Sequence, residues 1–192
     1  MKPPLVGIFV GGAGRRMGGV AKGLLETPDG EPIVERLLRV SREALAEPDV
    51  VLVGNASAYA SLGLTALEDD PPGVGPIGGL AALLTEAARR GVQSVLVLAC
   101  DMPFVTKELV QVLSTASPGA AAVAPRHESV WEPLSARFDV ARTLPVVRRL
   151  LDDDQHSVFA VLDGLGDDAV ALALGDETRQ ALTDWDEPSD VE

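Results

Sequence analysis

The chain has 192 residues, 46% hydrophobic and 23% charged, a profile that points to one soluble globular domain over residues 1–192. Its formal net charge of −13 argues against the clustered basic surface that nucleic-acid binding needs. No apolar run approaches the roughly eighteen residues of a membrane span, and the single cysteine, Cys100, excludes a disulfide framework or a cysteine-built metal site. A cytoplasmic protein with no membrane partner is expected.

Residues 5–10 form a short, almost purely apolar run that reads as a buried strand. Residues 33–45 carry Ile33, Val34, Leu37, Leu38 and Val40 close to helical spacing, with Pro32 suited to a helix start. A second buried strand is expected at 50–53, a helix opening on Gly-Pro at 77–88, and a third strand at 94–99 followed by a helix at 107–113. Further strands are expected at 120–124, 132–138 and 169–172, and helices at 140–151, 157–162 and 177–182. The acidic tail from Asp184 onward reads as frayed, its start excepted. Strands that are apolar throughout belong to a sheet covered on both faces. Their alternation with helices points to right-handed βαβ units and a three-layer α/β/α fold with a mostly parallel sheet. Such sheets bind ligands at the carboxyl ends of their strands, which directs attention to the loops after Val10, Val53 and Ala99.

The first of these loops, VGGAGRRMGGVAK from Val10 to Lys22, places five glycines directly after a strand. Glycine lets the backbone approach a ligand, and successive N–H groups can cradle phosphate oxygens. A dinucleotide-binding GxGxxG is excluded because Met17 stands at the third glycine. A P-loop is excluded because Ala21 precedes Lys22 and Gly23 follows it. What remains is a glycine loop with a basic island, Arg15, Arg16 and Lys22, in an otherwise acidic chain.

In LACDMPF, Asp101 closes the third strand. A carboxylate there suits Mg²⁺ held jointly with substrate phosphates, and equally suits a cap or turn. The segment EDDPPGVGPIGGL forces a tight loop into a helix N-terminus, a natural anion site or an ordinary turn. Asn55, after the second strand, is a candidate for a nucleotide pocket. His127 and His156 have no partner at metal-ligand spacing.

Taken together these segments resemble the molybdenum cofactor guanylyltransferase family, whose loop is close to LAGGxxxRMGGxDKGLL. Here it stands as Phe9-Val10-Gly11-Gly12, Arg16-Met17-Gly18-Gly19 and Lys22-Gly23-Leu24-Leu25. The CDMPF strand end, the stretch with Asp69, Pro72, Gly73, Gly75, Pro76 and Gly79, the Trp131-Glu132-Pro133-Leu134 segment and the terminal Asp184, Asp186 and Pro188 follow in the family's order. The resemblance implies a Rossmann-like fold of the nucleotide-diphospho-sugar transferase type. It implies transfer of GMP from GTP to the terminal phosphate of molybdenum-molybdopterin, with Mg²⁺ as the metal and pyrophosphate as the leaving group. It makes Arg16, Lys22 and Asp101 catalytic, with Arg16 on the pyrophosphate and Lys22 near the α-phosphate. Phe9, Val10, Gly11, Gly12, Lys22, Asn55, Asp69, Gly75 and Asp101 would bind the nucleotide, and Asp101 with Asp186 the metal. The Trp131–Leu134 segment falls near the acceptor, and transient contact with other molybdenum cofactor proteins is implied. GTP is favoured over CTP because GPIGGL looks like the guanylyl branch. Ala21 departs from the family's usual Asp and removes a charge beside Lys22. The alternatives are a cytidylyltransferase for the same pterin, a sugar-phosphate nucleotidyltransferase, or a nucleotide-binding adaptor without turnover.

Overall fold

Strand β1 (Leu5–Phe9) is buried at every residue, and it sits where it must to be so, between two parallel neighbours. The computed structural model describes residues 2–11, 21–127, 130–173 and 175–185. In it β1 pairs with β2 (Val50–Val53) and β4 (Ser94–Ala99), and β2 carries β3 (Thr65–Leu67) at the edge. On the other side β4 pairs antiparallel with β7 (Ser135–Asp139), which pairs antiparallel with β5 (Ala122–His127). β5 also pairs parallel with β8 (Ala169–Leu172) and antiparallel with the two-residue β6 (Val130–Trp131). The order is β3-β2-β1-β4-β7-β5-β6, with β8 on β5.

Side chains alternate across this sheet and fill two cores. Leu5, Phe9, Val51, Val53, Val95 and Val97 face α2 (Pro76–Arg89), α4 (Val140–Asp152) and α5 (Val158–Leu165). Val6, Ile8, Leu52, Leu96 and Leu98 face α1 (Ile33–Ala44) and α3 (Lys107–Thr115), with α6 (Asp176–Ala181) contributing Ala181. This is the three-layer arrangement expected of strands apolar on both faces. Local signals set the helix starts. Thr106 accepts the Leu109 N–H ahead of α3, Asp139 accepts the Arg142 N–H ahead of α4, and Pro76 occupies the first turn of α2.

Two expectations change. The strand expected at 132–138 begins only at Ser135, and it runs antiparallel to β4 and β5. The short link between β5 and β7 cannot hold a parallel crossover, which needs a dozen residues or more. β3 and β6 were not expected, being three and two residues long. The acidic segment holds at its start: Trp185 is buried and its N–H donates to the Asp101 carbonyl at 2.8 Å.

The loops beyond β1 and β2 touch at two glycines. Gly54 has φ +96°, and a Cβ on it would lie 2.8 Å from Gly11 Cα. Gly54→Ala therefore meets both backbone strain and a backbone clash, and should cost about 1–3 kcal/mol. Urea unfolding reads this directly; an unchanged midpoint would show that the two loops do not press together.

Candidate functional site

The strand ends are locked to one another past the last ladder pairs. Val10 N–H donates to the Val53 carbonyl at 2.9 Å, Cys100 N–H to Phe9 at 3.1 Å and Gly54 N–H to Leu67 at 2.8 Å. The loops after β1, β2, β3 and β4 thus open side by side. Between them lies a cavity of about 340 Å³, lined by Phe9, Val10, Gly11, Lys22, Asn55, Asp69, Gly75 and Asp101 among others. Every described residue proposed from sequence to touch nucleotide is on this wall. Gly12, Arg15, Arg16 and Asp186 lie outside the described residues.

Lys22 opens a 3₁₀ turn, Lys22–Leu24, and its Nζ stands 3.5 Å from Asp101 Oδ2. Burial is the main influence on the Asp101 carboxyl and pushes it above the ordinary range, with Lys22 opposing. Cys100, beside it, is pushed up to about 12, chiefly by burial, and stays a thiol at neutral pH. Gly75, with Pro76 behind it, brings the N-terminus of α2 to the cavity, where the helix dipole favours an anion. Asn55 Oδ1 accepts the Ser57 N–H at 3.2 Å and the Ser57 hydroxyl at 2.8 Å, at the start of the 3₁₀ turn Ser57–Leu62.

A second cavity, of about 480 Å³, shares Pro76, Ala99, Asp101 and Leu134 with the first and continues along Glu132, Pro133, His156, Val158, Phe159 and Asp184. Burial, and then the nearby charge of Asp184, raise the Glu132 carboxyl. Trp185 packs edge-on against Phe104, centroids 6.0 Å apart at 88°, and fixes Asp184 beside this cavity. Sequence reasoning placed Glu132 but missed the wall formed by His156 and, at the start of α5, Val158 and Phe159. No motif marks it, and only the exposure of Phe159 on a helix with an apolar face hints at it. Among the described residues no group of three His, Cys, Asp or Glu side chains could by itself hold a metal, and no helix is long and apolar enough to cross a membrane.

A sheet whose strand ends bring Gly11, Asn55, Asp69 and Asp101 together with Lys22 around a cavity of this size defines the class, an α/β enzyme acting on nucleotides. The chain matches the MobA-like NTP transferase domain over residues 6–176 and belongs to that family; it is a nucleotidyltransferase. It is 33% identical over 187 residues to the probable molybdenum cofactor guanylyltransferase of Opitutus terrae, covering 95% of this chain and 90% of that one. It is 38% identical over 170 residues to the molybdenum cofactor guanylyltransferase of Pseudomonas putida, covering 84% and 83%. The structure of molybdopterin-guanine dinucleotide biosynthesis protein A from Archaeoglobus fulgidus superposes with a TM-score of 0.74 at 26% identity, over 100% of this chain and 95% of that one. The fold is that of the nucleotide-diphospho-sugar transferases.

Asp69 gives a test of the first cavity's electrostatics. Burial raises its carboxyl above the ordinary 3.8, and among the described residues none hydrogen-bonds it. A raised carboxyl binds its proton more tightly in the folded chain, so its contribution is full below 3.8 and is lost as pH rises through the shifted value. Ionised Asp69 is then a net cost at neutral pH. Asp69→Asn should raise the melting temperature at pH 7, by about 2–4 °C per kcal/mol relieved, and the gain should vanish below about pH 4. Thermal unfolding at the two pH values decides it; a loss of stability at pH 7 would mean the carboxylate is satisfied.

Proposed function

We propose that the chain transfers GMP from GTP to the terminal phosphate of molybdenum-molybdopterin, releasing pyrophosphate, and does so in the cytoplasm. The observation that carries this reading is the pair of cavities meeting at Asp101, one for each substrate. Both fall within the size range of small-molecule sites. The names of the relatives, and the GPIGGL entry into α2, favour guanine as the base.

In this reading the nucleotide lies in the first cavity. Asp69 accepts N–H donors of the guanine edge or hydroxyls of the ribose, and Asn55 offers its amide. The backbone of Gly11 and the N-terminus of α2 face the phosphates. The acceptor enters from the second cavity, past Glu132 and Leu134, and brings its phosphate to the boundary. A phosphate oxygen of the acceptor attacks the α-phosphorus, the bond to the bridging oxygen breaks, and pyrophosphate leaves with the electron pair. No proton need be abstracted from an ionised phosphate, so the protein's work is positioning and charge neutralisation. Lys22 supplies a compact positive charge at that point and Arg16 a forked donor for the leaving group.

Mg²⁺ is the metal this reading implies. Asp101 suits it, because Mg²⁺ takes one or two carboxylates together with substrate phosphates and water rather than a closed protein cage. Bound there, the ion would neutralise charge that develops on the phosphate oxygens.

Two measurements test the proposal. Titration calorimetry with GTP, CTP, ATP and UTP should favour GTP at least about tenfold, roughly 1.4 kcal/mol; equal affinities would remove guanine. Pyrophosphate release with a molybdopterin acceptor should fall about 10²–10³-fold in Lys22→Ala and at least as far in Asp101→Ala. A wild-type chain that releases none with any triphosphate would leave the adaptor reading in its place.

A further inference from the structure

Lys22 and Asp101 are 79 positions apart in sequence and meet at 3.5 Å. A partly exposed pair of that length contributes little by itself. Directly behind the pair lies Tyr59, the chain's single tyrosine, 2% exposed. Its phenol oxygen accepts the backbone N–H of Gly23, the residue after Lys22, at 3.1 Å in a buried bond. Cys100, the residue before Asp101, packs into the same corner. Gly23 is packed into this corner: a Cβ there would stand 3.0 Å from Tyr59 Cε1 and from its hydroxyl, and 3.2 Å from Cys100 Cβ.

We propose that Tyr59 is a positioning residue for nucleotidyl transfer, its hydroxyl holding the Gly23 N–H in the corner packed against Cys100 so that Lys22 and Asp101 are held at their working separation. A phenylalanine would fill the same space without a buried hydroxyl to satisfy, so the oxygen is explained by the bond it accepts from Gly23. This contact also reaches the nucleotide cavity. Tyr59 is carried on the turn Ser57–Leu62, and that turn is tied at its start by Asn55, which lines the cavity wall. A nucleotide seated against Asn55 therefore bears on the element that sets Lys22. This inference rests on the proposed roles of Lys22 and Asp101.

The test is Tyr59→Phe in the full chain, which keeps the ring and removes the acceptor. The Gly23 amide, followed by hydrogen exchange in NMR spectra, should lose protection about tenfold or more. In pyrophosphate release kcat should fall about tenfold while the KM for GTP stays within about twofold, because geometry at the reacting atoms is lost and ground-state binding is not. Combined with Lys22→Ala, the same change should add less than about twofold, since Tyr59 acts through Lys22. A purely structural role would lower the melting temperature and leave kcat at assay temperature unchanged. Unchanged Gly23 exchange, an unchanged kcat, or full multiplicativity with Lys22→Ala would each overturn the inference. If wild-type protein releases no pyrophosphate, the proposed transfer fails instead, and Gly23 exchange still decides whether Tyr59 holds the turn.

Discussion

The hydrogen bonding of β1 on both edges constrains everything else in the molecule. With β2 and β4 parallel to it on either side and helices on both faces, the carboxyl ends of three strands finish on one line. The bonds from Val10 to Val53 and from Cys100 to Phe9 carry that alignment one residue beyond the ladder, so the loops leave the sheet already packed together. Gly54 against Gly11 is the consequence, since two backbones that close leave no room for a Cβ. The cavity lies beyond this contact, with α2 closing one side and the Lys22–Leu24 turn another.

The charge distribution follows from the same burial. Asp69, Asp101 and Glu132 line the two cavities, and burial raises all three carboxyls. Lys22 is the one lysine or arginine on the first cavity's wall among the described residues. An acidic site in a chain of net charge −13 is a poor host for a polyanion unless positive charge is supplied locally. That supply comes from Lys22, the N-terminus of α2 and, under the proposed function, Mg²⁺ on Asp101 and Arg16 in the glycine loop. The antiparallel β7 matters for the second substrate, because it returns the chain so that Glu132 and Leu134 sit beside Asp101 instead of across the sheet.

Much of this was legible in the sequence, for identifiable reasons. β2, β4 and β8 fall where unbroken apolar runs placed them, and α1, α2 and α4 within a residue of their periodic patterns. Asn55 and Asp101 reach one cavity because each follows a strand that the pattern revealed, whereas Asp69, on the same wall, follows β3, which it did not. The rest depended on contacts that leave no local trace. β3 is a short edge strand with exposed Thr65 and Ala66, too brief for a period to register. Tyr59 reads as a solitary aromatic in a polar loop, and its partner Gly23 is 36 positions away. Trp185 sits in an acidic tail whose composition suggests disorder, and only its packing on Phe104 and its bond to Asp101 show otherwise.

The account stands or falls on where the triphosphate lies. A crystal structure with Mg²⁺ and a non-hydrolysable GTP analogue tests it most directly. The prediction is an α-phosphate between Lys22 and Asp101, the base or ribose against Asp69, and the second cavity left open beyond Asp101. A nucleotide bound along Glu132 and Phe159, or one that leaves Lys22 and Asp101 untouched, would contradict it.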